Sequence, residues 1–187
     1  DISSWDLSNV LTTYKLFQGA TAFNQNISYW DVSNVENFSY MFNQHTTFNQ
    51  DISSWDVSSA TDVGAIFAST LFNQGISSWD VSNVTSFQNM FAVTPFNQDI
   101  SSWDVSSGLY FGYMFSVSAF NQDISTWDMS NAQNLSYMFY AADAFNQDIS
   151  SWDVSNVEVL SGVFYNNGAF NQDISSWNTS NVERADN

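Results

Sequence analysis

Seven aspartates follow seven tryptophans by one residue, at Asp6, Asp31, Asp56, Asp80, Asp104, Asp128 and Asp153. If these repeats stack about 5 Å apart, neighbouring carboxylates repel by roughly 0.8 kcal/mol in water-like surroundings, which a surface tolerates. Two chemistries fit such a row, with contact to a partner as a third reading. Hard oxygen ligands at regular spacing are suited to Ca²⁺ or Mg²⁺, with Asp31, Asp56, Asp80, Asp104, Asp128 and Asp153 as the candidate Ca²⁺ ligands. Alternatively each Asp-x-Ser side chain accepts nearby backbone N–H bonds and holds a corner of the chain. Asn178, which keeps the acceptor without the charge, leans toward the second.

Another acidic row lies four residues before tryptophan, at Asp1, Asp51, Asp99, Asp123, Asp148 and Asp173, but Asn26 and Gly75 interrupt it. The Asn-Gln pairs from Asn24-Gln25 to Asn171-Gln172 suggest stacked side-chain amides, with a sugar-binding face as the other possibility. Catalysis has little to draw on. His45 is the one histidine and falls in a variable corner, where a solvent-exposed loop residue is expected; there is no cysteine, P-loop or zinc spacing, and the expectation is a chain without catalytic residues or cofactor. Tyr29, Tyr40, Tyr113, Tyr137 and Tyr140 recur irregularly and are the better candidates for an outer contact surface.

What positions these residues is a repeat. Tryptophans stand at 5, 30, 55, 79, 103, 127, 152 and 177, with isoleucine three residues before each and serine three after. Twelve residues after each of the first seven comes phenylalanine, from Phe17 to Phe164. Only the link to the next Phe-Asn-Gln varies in length, as a surface corner permits. The expected core therefore includes Ile52, Trp55, Phe67, Phe72, Ile76, Trp79, Phe91, Phe96, Ile100, Trp103 and Phe115.

Within one repeat, Val84, Phe87, Met90 and Phe91 follow helical spacing, and Ser82 stands where a helix N-cap would. Ser33 with Glu36, Ser155 with Glu158 and Ser180 with Glu183 resemble capping boxes. The residues before Ser82 alternate with period two, which predicts short extended segments pairing in parallel with those of neighbouring repeats. A single unit buries too little to offset its ordering entropy, whereas a stack does. The expectation is one repeat solenoid over residues 1–187, with eight coils of 24–25 residues, each holding a short parallel β ladder and a short helical segment. The first and last repeats deviate, at Val10-Leu11-Thr12-Thr13-Tyr14 and Trp177-Asn178-Thr179, without forming polar caps, so both ends are expected to be uncapped.

The cadence Trp79-Asp80-Val81-Ser82-Asn83-Val84 to Met90-Phe91 resembles the BspA-like family of leucine-rich-repeat surface proteins. The resemblance covers essentially the whole chain. It implies a leucine-rich-repeat-like solenoid with one parallel ladder, found on or outside microbial surfaces and often acting in adhesion.

Composition narrows the partners. Lys15 and Arg184 face 19 acidic residues for a net charge of -17, which repels nucleic acid and anionic lipid. No apolar run is long enough to insert in a membrane. The leading expectation is a non-catalytic extracellular or cell-surface scaffold presenting an extended face to a protein or glycan. The alternative is a structural subunit that adds to itself head to tail as a filament. A carbohydrate-active solenoid using paired carboxylates is the remote third, since the aspartates are spread evenly.

Overall fold

The computed structural model of the protein describes residue 2 and residues 4–186. Asp1, the first member of the second acidic row, lies outside them. Among the described residues there is neither a helix nor a strand longer than one residue. The regular element is a parallel ladder of single bridges, Thr12 to Asn37 to Asp62 to Ser86 to Tyr110 to Asn134 to Val159 to Arg184. Each rung lies seven residues after its tryptophan, one rung per repeat.

The ladder therefore runs through the stretch expected to be helical, and not through the Gln-Asp-Ile-Ser and Trp-Asp-Val stretches expected to pair. In the fourth repeat the N–H groups of Phe87, Asn89, Phe91 and Val93 donate to the carbonyls of Tyr110, Gly112, Met114 and Ser116 in the next repeat, at 2.8–2.9 Å. The interleaved N–H groups of Met90 and Ala92 turn back three residues, to Phe87 and Asn89, at 3.0 and 3.1 Å. Asn89 and Val93 have φ of 58° and 57°. A chain of three-residue turns with left-handed residues four apart is incompatible with a helix, yet it projects side chains at nearly helical intervals. Side-chain spacing alone does not separate the two.

The capping expectations change with it. Ser82 N–H and Oγ–H both donate to Asp80 Oδ1, at 3.1 and 2.7 Å, and Val84 N–H closes a turn on Val81 O. Glu36, Glu158 and Glu183, the outer members of the supposed capping boxes, donate their N–H groups to the preceding repeat, at Leu11, Gln133 and Glu158. These N–H groups form links between repeats where helix caps were expected.

Left-handed backbone recurs ten and fourteen residues after tryptophan in all of the first seven repeats, for example Tyr113 with Val117 and Tyr137 with Ala141. Valine is ill suited to positive φ, because its branched Cβ crowds the backbone. Val93 and Val117 are both exposed, and their counterparts in the first and seventh repeats are Gly19 and Asn166. Val93→Asn is expected to raise stability by about 1 kcal/mol, read as a higher urea midpoint at unchanged m-value.

The core is built from columns of rings. Phe17, Phe42, Phe67, Phe91, Phe115, Phe139 and Phe164 stack with centroids 5.7–6.3 Å apart. A parallel column runs Phe48, Phe72, Phe96, Phe120, Phe145 and Phe170 at 6.0–6.3 Å. Within a repeat the two columns touch, as in Phe67 against Phe72 at 3.8 Å. Ile52, Trp55, Ile76, Trp79, Phe96, Ile100, Trp103 and Phe115 are all buried in one continuous apolar cluster that extends from Leu7 to Trp177.

His45 is a correction. It is fully buried among the edges of Phe23, Phe42 and Phe48, and neither ring nitrogen has a hydrogen-bond partner. The third residue after each column phenylalanine turns inward, so this place in the link is not surface. In three of the four six-residue links its carbonyl accepts from the next phenylalanine, as His45 from Phe48 and Ala142 from Phe145, both at 2.9 Å, and in the fourth Asn167 Oδ1 accepts from Phe170 at 3.0 Å. In two of the five-residue links a threonine hydroxyl takes over. Thr70 Oγ1 accepts from Phe72 N–H at 3.2 Å and donates to Phe67 O at 2.7 Å, and Thr94 does the same.

Candidate functional site

The ladder brings each type of repeated polar residue to the same place in successive repeats. Asp31 Oδ1 accepts Ser33 N–H at 3.1 Å and Ser33 Oγ–H at 2.6 Å. Asp56 and Asp80 do the same with Ser58 and Ser82. Asp104, Asp128 and Asp153 accept the N–H of Ser106, Ser130 and Ser155 at 2.9–3.0 Å. Asn178 keeps that bond to Ser180 at 3.2 Å, as an acceptor without charge can. In the second row Asp51, Asp99, Asp123, Asp148 and Asp173 accept the N–H of the serine two residues on, and Asn26 keeps the same role toward Ser28.

Each aspartate thus faces its own turn. Among the described residues no three of His, Cys, Asp or Glu come together as a group that could hold a metal ion. The six calcium candidates are spaced one per repeat and are not brought together at a single centre.

These bonds stabilise the ionised carboxylate. The serine hydroxyl first and its N–H second hold Asp6, Asp31, Asp56, Asp104 and Asp153 below their ordinary value. For Asp51, Asp99, Asp123, Asp148 and Asp173 the serine N–H leads. Repulsion from aspartates of the same row in adjacent repeats acts the other way on Asp31, Asp123 and Asp148 but is the smaller effect. A folded pKa below the unfolded one means stability that is present above about pH 4 and lost as pH falls through the lowered values. The melting temperature followed by circular dichroism is expected to be flat from pH 7 to about 5 and to drop progressively below about pH 4.

The Asn-Gln pairs form the expected amide ladder. Asn97 Oδ1 accepts Asn121 N–H at 2.9 Å and Gln122 Nε2–H at 3.0 Å, and Asn73, Asn121 and Asn146 repeat the arrangement. Gln50 Nε2 donates to Asn24 Oδ1 in the same way. Serine hydroxyls make a second ladder to main-chain carbonyls of the preceding repeat, such as Ser78 to Ser53 at 2.9 Å and Ser151 to Ser125 at 2.8 Å. A third runs through Asn83, Asn131, Asn156 and Asn181, whose amides donate to Ser58, Ser106, Ser130 and Ser155. Buried indoles complete the set. From Trp55 to Trp177 each Nε1–H donates to the carbonyl of the isoleucine one repeat back, at 3.0–3.2 Å.

The repeated side chains are therefore engaged, the aspartates with their own turns and the Asn, Gln, Ser and Trp ladders in joining repeat to repeat. What remains outside is irregular. Tyr113 and Tyr137 stack at 4.8 Å and 15°, Tyr140 meets Tyr137 edge-on at 6.0 Å, and Tyr165 stacks on Tyr140 at 5.7 Å. Burial first, and the neighbouring Tyr137 and Tyr140 second, push the Tyr113 hydroxyl up. Far from them, Tyr14 meets Tyr40 edge-on and Lys15 Nζ sits over both rings. Tyr29 is exposed and joins neither cluster. Tyr14 and Tyr165 were not expected from the sequence. The signal for Tyr165 is its place thirteen residues after tryptophan, the same as Tyr140.

These features define a repeat protein whose polar rows are structural mortar. The chain belongs to the family described as "Mycoplasma protein of unknown function, DUF285", which matches residues 1–94, 68–131 and 94–187. No curated protein and no solved structure matches it. Among the described residues no helix is long and apolar enough to cross a membrane.

Proposed function

We propose that the chain is a non-catalytic, leucine-rich-repeat-like solenoid of the extracellular or cell-surface kind, presenting an extended face to a protein or glycan partner. The observation that carries this is the use of the repeated residues. Asp, Asn, Gln, Ser and Trp spend their polar atoms on turns and on neighbouring repeats. That leaves the irregular outer residues, tyrosines above all, to tell one partner from another. The resemblance to BspA-like surface proteins supports the same placement. Saturable retention of the purified chain on a protein or glycan array, without turnover in a hydrolase and lyase screen, is the expected result. Turnover abolished by Asp→Asn substitution would overturn it.

A second reading is a structural subunit that stacks head to tail. Trp5, Leu11 and Leu16 are exposed on the first repeat, and a cleft of about 280 Å³ lined by Leu160, Val163, Phe164, Tyr165, Ile174 and Trp177 opens near the last. Every indole, hydroxyl and amide donor of the ladders described above points to the preceding repeat, so copies stacked in one sense would match donors with carbonyls. Light scattering of the 187-residue chain across concentration decides it: growth into fibres is the expected result, and a monomer throughout removes it.

A further inference from the structure

We propose that the tyrosine cluster formed by Tyr113, Tyr137, Tyr140 and Tyr165 docks lysine or arginine side chains of a basic polypeptide. The inference rests on the scaffold reading and names one of its partners by chemistry. Tyr113 and Tyr137 occupy the same left-handed backbone position in adjacent repeats, with φ of 59° and 55°. In the next repeat that position is Gly162, where a Cβ would lie 2.4 Å from the Tyr137 ring. Any other residue there would push the ring away, so the glycine is what lets the four rings form one continuous surface. Tyr165 is 46% exposed, and the other three are part-exposed beside it.

The molecule shows what this tyrosine position takes. Tyr40, its equivalent in the second repeat, and Tyr14 beside it hold the Lys15 ammonium at 5.5 and 5.0 Å from their ring centroids. Aromatic faces carry negative charge density that attracts an ammonium or guanidinium group. Among the described residues no cation stands over Tyr113, Tyr140 or Tyr165, and Lys15 and Arg184 are the only cations of the sequence. The partner must then supply the cation. A net charge of -17 enriches basic polypeptides near the surface and speeds their encounter, while the rings give the contact its place.

The test is a fluorescence anisotropy titration of the 187-residue chain with a lysine- and serine-containing peptide. Its lysine-acetylated counterpart and a neutral oligosaccharide serve as comparison probes, at low and at physiological salt. The basic peptide is expected to bind and the acetylated one to bind at least tenfold more weakly. Tyr140→Ala and Tyr165→Ala are each expected to weaken binding roughly two- to fivefold. Tyr140→Phe, which keeps the ring, and Tyr29→Ala, on an exposed tyrosine elsewhere, are expected to bind like the parent. Melting temperatures identify any variant that has lost its fold. Equal binding by the alanine variants would mean that charge alone attracts the peptide. Equal binding of the acetylated peptide or of the oligosaccharide would mean that the partner is not cationic. Either outcome, or no binding of the basic peptide at all, overturns the inference. None of these alone removes the scaffold reading, which stands or falls on the array and turnover screens.

Discussion

Trp103→Ala is expected to lower the unfolding free energy by about 4 kcal/mol and to move the chemical denaturation midpoint accordingly. The indole is 4% exposed, packs against Phe87 and Phe91 at 6.3 Å, and donates Nε1–H to Ile76 O at 3.1 Å. Alanine would therefore leave a cavity and a buried carbonyl without its donor. Trp103→Phe separates the two effects: it keeps most of the ring and loses the bond, with an expected loss of roughly 1–3 kcal/mol. Trp30 provides the contrast, because its buried Nε1 has no partner. Trp30→Phe is expected to cost less than Trp103→Phe, and equal losses would show that the indole bond contributes nothing.

Phe91→Ala is expected to cost about 3–5 kcal/mol, and clearly more than Phe164→Ala. Phe91 is fully buried with Phe67 on one side at 5.9 Å and Phe115 on the other at 5.7 Å, besides Phe96 at 3.8 Å. Phe164 stacks on Phe139 on one side and is only partly buried. In a stack whose repeats touch only their neighbours, a central defect breaks two interfaces and a terminal one breaks one. Urea unfolding followed by tryptophan fluorescence measures both. Equal costs would mean that the columns do not share stability between neighbours.

Much of the site was legible in the sequence. Trp79, Ile76, Phe72 and Phe91 recur at fixed distances because their burial recurs, and burial leaves its mark on residue type. The Asp-x-Ser turns were also legible, since the acceptor and its N–H lie two residues apart and no distant partner is needed. Asn178 in place of aspartate leaned toward the acceptor over the charge, and its bond to Ser180 N–H at 3.2 Å keeps that role.

The tyrosine cluster was only half legible. Tyr113, Tyr137 and Tyr140 stood out as irregular, but nothing in their spacing said that Gly162 would make room for Tyr137. His45 was misplaced for a related reason. Its polarity and variable surroundings suggest a loop in solvent, whereas the turn closing on Phe42 O directs it into the rings.

The sequence by itself determined the repeat period and the inward places of the recurring Ile, Trp and Phe, and it narrowed each polar row to a choice between chemistries. Those properties belong to side chains, whose types repeat with the environments they occupy. Only the tertiary structure decided that the stretch from Phe87 to Val93 is a run of turns bonded to the next repeat, with no helix in it. The choice depends on where each N–H finds its carbonyl and on the sign of φ at Asn89 and Val93, and both are set by a neighbouring repeat some 24 residues away.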